Sequence, residues 1–167
     1  EVFGEYAAVS EGPLPKGVLG YSQRPKDSSP ENLPYDAARK ILTTDGWTWS
    51  SSSAVMQKSF KNPKNKKTEK MELSFSIATA DTPELKKMAF LIKKEWEKIG
   101  AKVNVSVYEL GDLNQNIIRP RKYDALFFGE IVGRDPDLFS FWHSSQRNDP
   151  GLNIALYTSV KTDKLLD

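Results

Sequence analysis

The amino-acid sequence predicts an α/β fold, and three neighbouring stretches carry this prediction. Residues 71–77 alternate strictly between apolar and polar side chains, as in a strand with one buried face. Residues 83–99 repeat apolar side chains at helical spacing, and residues 101–108 alternate again around three valines. A strand, a helix and a strand in this order form a βαβ unit, which is expected to be parallel and right-handed. A second helix at 110–118 and a buried strand at 123–128 extend the order to β-α-β-α-β.

The composition narrows the class of protein. The chain has 167 residues, enough for one domain with a hydrophobic core. It carries 24 Lys and Arg against 22 Asp and Glu, a balance that disfavours a general nucleic-acid binder. Because it contains no cysteine, disulfides and thiolate chemistry are excluded. No apolar run approaches the roughly 20 residues of a membrane-spanning helix.

Residues 1–34 are predicted to be irregular, because nine glycines and prolines interrupt them. Residues 35–167 are predicted to form the α/β part, which begins with a helix at 35–42. The chain starts at Glu1, without a methionine or a signal peptide. Near its other end a short extended piece is predicted at 153–157, and the sequence stops at Asp167 inside a helix predicted from Thr162. We therefore expect a piece of a larger protein, whose targeting signal lies outside this sequence.

A β-hairpin is predicted from strands at 55–60 and 71–77, joined by a polar, basic stretch at 61–70. This stretch fits either a patch for nucleic acid or an anionic membrane, or a solvated loop. The solvated loop is favoured, since no aromatic side chain is interleaved for base stacking.

The helix at 83–99 has clear end signals. Thr82 is a plausible N-cap, Pro83 suits the first helical position, and Glu84 complements the helix dipole. Gly100 is a C-terminal stop.

The stretch from Tyr123 to Ser144 is the candidate functional segment. Its apolar run ends at Gly129, a charged loop follows from Glu130 to Asp135, and Asp137 is placed to cap a short aromatic helix over 138–142. Open α/β sheets bind ligands at the carboxyl ends of their strands, where loops of this kind begin. The turn at Thr79–Thr82 follows a neighbouring strand and is expected at the same edge.

Few residues suit catalysis or metal binding. His143 is the only histidine, so a Ser-His-Asp relay or a His-rich metal site is hard to build, and a structural role is favoured. Three carboxylates, Glu130, Asp135 and Asp137, fit a hard cation or an acid–base pair, but their spacing matches no calcium loop. The favoured interpretation has Asp137 capping a helix and Asp135 or Glu130 pairing with Arg134. We predict no catalytic residue, no metal and no cofactor.

The sequence contains an ordered series of short motifs: Pro34 to Trp47, Met71 to Thr79, Ala89 to Val105, Tyr123 to Gly129 followed by Asp135-Pro136-Asp137, and Asn153 to Tyr157 followed by Asp163 to Leu166. This series resembles one known family, the extracellular solute-binding proteins of peptide-type ABC importers (family 5, the dipeptide- and oligopeptide-binding group).

This resemblance implies a type II periplasmic-binding-protein-like lobe, with a mixed sheet, βαβ units and flanking helices. Residues 35–167 would be most of the C-terminal lobe, with the N-terminal lobe missing. The implied function is capture of an oligopeptide or similar small polar solute by closure of two lobes, for delivery to a membrane permease. The implied location is extracytoplasmic, either periplasmic or as a cell-surface lipoprotein. No nucleic-acid partner and no enzymatic activity are expected.

The sequence departs from the family at one position of the expected site. Members commonly have Trp directly after the strand-ending glycine, and an Asp about three residues later that pairs with the amino terminus of a peptide. Here these places hold Glu130 and Val132-Gly133. Either Glu130 supplies the missing carboxylate, or the ligand is not a peptide. The predicted ligand-binding residues are Gly129, Glu130, Arg134, Asp135, Asp137, Trp142, Thr79 and Thr82.

Two alternatives remain open at the level of sequence. One is a carboxylate-based hydrolase that uses Glu130 with Asp135 or Asp137. The other is the ligand-binding module of a receptor.

Overall fold

The computed structural model describes residues 2, 7, 8, 10, 12, 14, 16–18, 20, 21, 35–131, 133 and 137–167. They fall into two compact units. Residues 35–107 and 124–127 form one, here called the sheet unit, and the described residues up to 21, with 108–123 and 128–167, form the other, the helical unit. The predicted boundary at residue 34 stays a prediction, because 22–34 lie outside the described residues.

The sheet unit contains two three-stranded sheets. One has the order β1-β2-β3 and is antiparallel. The other has the order β5-β4-β6, and β6 runs parallel to β4. In chain order the elements are α1 (Tyr35–Thr44), β1 (Trp47–Ser50), β2 (Val55–Lys61), β3 (Thr68–Glu72), β4 (Ser74–Ala80), α2 (Pro83–Glu97), β5 (Lys102–Tyr108) and β6 (Ala125–Phe127).

The prediction of a single strand over residues 71–77 is wrong. The chain changes sheets at Leu73: its N–H donates to the Met56 carbonyl of β2, and its own carbonyl accepts from the Lys102 N–H of β5, each at 2.8 Å. Met71 therefore ends half-exposed in one sheet, whereas Ile77 is buried in the other. The side-chain alternation continues through the switch, so it does not report the change of partner strand.

The predicted helix, α2, is confirmed. It starts at Pro83 with Thr82 as its N-cap, and Gly100 follows its end at φ +94°. Ala89 on its apolar face is fully buried against Ile77 and Val103, which makes this face the core of the sheet unit.

The helical unit contains α3 (Leu110–Asp112), which continues as a π-helical segment (Leu113–Ile118), then α4 (Leu138–Trp142), a 3₁₀ turn (Ser144–Gln146) and α5 (Val160–Leu166). Leu113 and Ile118 are buried. The extended piece predicted at 153–157 is wrong, since this segment forms no strand. The last helix starts at Val160 rather than at Thr162, because Ser159 caps it by accepting the Thr162 N–H. Among the described helices, none has the length and apolar character needed to cross a membrane.

Candidate functional site

The carboxyl ends of β4 and β6 lie side by side, as the sequence predicted. Thr79 stands opposite Phe127 in the parallel register, and its hydroxyl donates a hydrogen bond of 2.8 Å to the Phe127 carbonyl. Thr79 is fully buried. Its hydroxyl thus holds two strand ends in register, and its predicted contact with a solute stays a prediction.

Asp124 fixes the opposite end of the same strand pair. The backbone N–H and the hydroxyl of Ser76 both donate to its Oδ2 at 2.9 Å. These hydrogen bonds stabilise the carboxylate and lower the pKa of Asp124. Side-chain hydrogen bonds at both ends of the strand pair therefore hold β6 against β4, up to the point where the chain leaves β6.

Thr82 is the N-cap of α2, but its side chain makes no capping hydrogen bond. Its backbone N–H donates to the Ala80 carbonyl at 2.9 Å, which closes a tight turn directly after β4. The residue is half-buried. The position of the cap was predicted correctly, and the hydroxyl is not used by the helix.

The loop after β6 begins with Gly129 and Glu130, both exposed. A Cβ atom at Gly129 would meet nothing within 4 Å, so local packing does not require glycine there. Although the residue as a whole is exposed, partial desolvation of its carboxyl group raises the pKa of Glu130, because neighbouring protein atoms replace some of the water and disfavour the charged form. Arg134 and Asp135 lie outside the described residues, and so does the ion pair predicted for Arg134.

Asp137 caps α4, as predicted. Its carboxylate accepts the Ser140 N–H at 3.1 Å and also the Ser140 hydroxyl. These bonds lower the pKa of Asp137 and keep it ionised. The carboxylate is therefore engaged at the helix terminus, and its predicted contact with a solute stays a prediction.

Trp142, the last residue of α4, packs edge-to-face on Tyr157, with ring centroids 6.2 Å apart. Asn153 links the two residues and is fully buried. Its Nδ2 donates to the carbonyls of Trp142, His143 and Tyr157 at 3.0–3.3 Å, and its Oδ1 accepts the Tyr157 N–H at 3.1 Å. Sequence reasoning missed this role, since a single asparagine at the start of a predicted extended piece carries no pattern.

His143 has structural contacts, as favoured from the sequence. The Ser145 N–H donates to its Nδ1 at 3.2 Å, and its ring stacks on Phe139. Its Nε2 lies 3.5 Å from an Asp167 oxygen and 3.9 Å from an Asp163 oxygen. Next to the ring, the Ser144 N–H donates to Asp163 Oδ1 at 3.0 Å, and this bond ties the end of α4 to α5.

Within the described part of the chain, no three His, Asp or Glu side chains are grouped to hold a metal ion. An open groove lies along α1, lined by Ala37, Lys40, Ile41, Thr44 and Asp45. None of the predicted site residues lines this groove.

The sequence matches the bacterial extracellular solute-binding proteins, family 5 Middle, over residues 1–151. The chain belongs to this family. The resemblance inferred from the ordered motifs is therefore confirmed. A comparison with curated proteins gave no match.

Solved structures of binding proteins share the fold of this family 5 chain. The oligopeptide-binding protein AppA from Bacillus subtilis, in complex with a nonapeptide, is 24% identical, with a TM-score of 0.70 over 93% of this chain and 28% of AppA. NikZ from Campylobacter jejuni, in complex with Ni(L-His), is 23% identical, with a TM-score of 0.62 over 81% of this chain and 25% of NikZ. DppA from Helicobacter pylori, in complex with the peptide STSA, is 20% identical, with a TM-score of 0.60 over 91% of this chain and 25% of DppA.

At these identities the likeness establishes the fold: an α/β arrangement of the type II periplasmic-binding-protein kind, as predicted. The family 5 chain covers 28% of the length of AppA and 25% of NikZ and of DppA. The fold therefore corresponds to one part of those binding proteins.

Proposed function

We propose that this family 5 chain is part of the substrate-binding component of an ABC importer. The component captures an oligopeptide or similar small polar solute and passes it to a membrane permease. Closure of two lobes encloses the solute, and the N-terminal lobe is contributed by sequence outside this chain. The observation that carries the proposal is the family match over residues 1–151.

The proposed location is extracytoplasmic, either in a periplasm or at a cell surface through a lipid anchor. The proposed activity is binding without catalysis, in keeping with a family of solute-binding proteins. The rival hydrolase needs Glu130 to work with Asp135 or Asp137. The hydrogen bonds of the Asp137 carboxylate to the start of α4 argue against Asp137 in that role.

The proposed contacts with the solute come from the predicted residues at strand and helix ends. Glu130 is the central one. Its carboxyl group is partly desolvated, which raises its pKa, so a cationic group beside it would favour the ionised form and form a charge-assisted hydrogen bond. An ammonium group of a peptide has the required charge. Thr82 offers a hydroxyl that α2 does not use, and Trp142 offers an aromatic surface.

The function is tested on the full-length binding protein, purified without denaturation. Native mass spectrometry is expected to detect a noncovalently bound solute, which titration calorimetry then measures on the emptied protein. A co-purified nucleotide, or conversion of the bound compound into a product, would overturn the proposal.

The role of Glu130 is tested by Glu130→Gln. Affinity for a cationic solute is expected to fall about 10-fold or more, because a charge-assisted hydrogen bond is lost. Stability at neutral pH is expected to stay equal or rise, since the variant removes a desolvated charge. The matched control is Glu97→Gln, which removes an exposed carboxylate that pairs with Lys93 in α2. Unchanged affinity in Glu130→Gln would remove Glu130 from the site, and parent turnover abolished by this change would favour the hydrolase.

A further inference from the structure

Positive charge is concentrated at the end of the hairpin formed by β2 and β3. Residues 61–70, here called the lysine tip, contain five lysines and one glutamate, whereas the whole chain has a net charge of +2. All five lysines are exposed, and none forms an ion pair with another described residue. The lysine tip is therefore a cationic surface on a chain whose remainder is net negative. The five are Lys61, Lys64, Lys66, Lys67 and Lys70.

Two asparagines give the lysine tip a defined shape. The Asn62 N–H donates to the Lys67 carbonyl at 2.9 Å, while the Asn62 side chain accepts the Lys64 N–H at 2.9 Å. The Asn65 side chain accepts the Lys67 N–H at 2.9 Å. Both asparagine amides donate to Glu69 at 2.8 Å. The one acidic group is thus held by amides, and the lysine ammonium groups remain available to an external anion.

Two apolar side chains adjoin the lysine tip. Phe60 is opposite Glu69 and Met71 is opposite Lys58, so Phe60 and Met71 are diagonal neighbours on one face of the hairpin. They are 39% and 47% exposed. Positive charge next to exposed apolar side chains suits contact with a membrane interface, where the charges attract anionic headgroups and the apolar groups enter the boundary between headgroups and acyl chains.

We propose that the lysine tip docks on an anionic phospholipid surface. Lysine ammonium groups are point charges on flexible stems, which suit a diffuse layer of headgroup phosphates better than one bidentate anion. Residues 61–70 contain no arginine and no aromatic residue, so the forked phosphate recognition and base stacking of nucleic-acid sites are missing. This docking is independent of solute binding, and it would hold the chain beside the bilayer.

The test is cosedimentation of the 167-residue chain with vesicles. Phosphatidylcholine vesicles containing about 30% phosphatidylglycerol are compared with pure phosphatidylcholine vesicles, at low and high salt. The parent chain is expected to bind only the anionic vesicles, and more weakly at high salt. The triple variant K64Q/K66Q/K67Q is expected to bind roughly 100-fold more weakly, since each lysine near an anionic surface contributes about fivefold.

The matched control is K87Q/K94Q/K102Q, which removes three exposed lysines outside the lysine tip. It is expected to bind like the parent. A second variant, Phe60→Ser, is expected to weaken binding several-fold and leave its salt dependence unchanged, because it removes only apolar contact.

Several outcomes would overturn the proposal. One is that the parent chain does not bind anionic vesicles at low salt. Another is that K87Q/K94Q/K102Q loses as much vesicle binding as K64Q/K66Q/K67Q does, and a third is that K64Q/K66Q/K67Q keeps the full binding of the parent. Single-stranded DNA that binds the parent more tightly than the anionic vesicles would favour a nucleic-acid partner instead. Circular dichroism melting of each variant separates loss of binding from loss of fold.

Discussion

At the scale of single residues, Asn153 holds the turn after α4 in place. Buried polar side chains are stable only when their hydrogen bonds are made, and this side chain bonds to three carbonyls and one N–H. Its partners Trp142 and Tyr157 pack edge-to-face on each other. Asn153 is therefore a positioning residue for Trp142.

Asn153→Ala is expected to lower the free energy of unfolding by about 2–3 kcal/mol, because the buried carbonyls lose their donors and a cavity remains. Asn153→Asp keeps the size but directs a carboxylate at carbonyl oxygens, so at least the same loss is expected. The exposed Asn148 supplies a control, since Asn148→Ala should change stability by less than about 0.5 kcal/mol. Urea unfolding measures all three. A loss below about 1 kcal/mol for Asn153→Ala would show that water replaces the side chain.

Site residues differed in how far the sequence could predict them. The cap at Asp137 was predictable, because an acceptor directly before a short apolar helix has one common role. The full burial of Thr79 was not, since it depends on the parallel register that places Phe127 beside it. The role of Asn153 depends on carbonyls that are brought together only in the folded chain.

At the scale of elements, local signals predicted α2 better than they predicted the strands. Thr82, Pro83 and Gly100 mark the ends of α2 by backbone chemistry that needs no partner. The switch at Leu73 needs partners from two sheets, which side-chain alternation cannot specify. The sequence also did not predict that the helix after residue 110 becomes π-helical at Leu113–Ile118, because the spacing of apolar residues does not distinguish a π-helical turn from an α-helical one.

Gly100 joins α2 to β5 and also contacts the first sheet, so Gly100→Ala is expected to destabilise the sheet unit. Its φ of +94° disfavours any side chain, and a Cβ atom would approach Met56 Cγ to 2.8 Å and the Trp49 ring to 3.0 Å. The expected loss is about 2 kcal/mol or more.

The control for Gly100→Ala is Gly129→Ala, which meets no atom within 4 Å and should leave the unfolding midpoint unchanged. Thermal and urea unfolding compare the two variants. Equal midpoints for Gly100→Ala and the parent would contradict the close approach at Gly100.

At the scale of the whole molecule, electrostatics sets a pH range for stability. Hydrogen bonds and ion pairs lower the pKa values of carboxylates in both units, whereas burial raises the pKa of Glu130. Groups with lowered pKa values stabilise the fold above their unfolded pKa, and this contribution is lost as the pH falls through the folded pKa. Glu130 acts in the opposite direction, because its protonation relieves a desolvated charge. The carboxylates with lowered pKa values are Asp45, Glu69, Glu95, Asp124, Asp137, Asp149 and Asp163.

The chain is therefore expected to lose stability on acidification, from the ordinary pKa range of glutamate and aspartate downwards. The contribution of Asp124 can be measured separately. Asp124→Asn keeps the shape but weakens two hydrogen bonds from Ser76, so a loss of about 1 kcal/mol is expected at pH 7 after allowance for solvent exposure. This difference should shrink as the pH falls below the ordinary aspartate value of 3.8, because the parent carboxylate is then protonated as well.

Urea unfolding at neutral and at acid pH measures the stability difference between Asp124→Asn and the parent at each pH. Asp36→Asn, at an exposed position on α1, is the control and should show a smaller difference at either pH. A cost for Asp124→Asn that stays constant with pH would show that its carboxylate charge does not stabilise the β4–β6 edge.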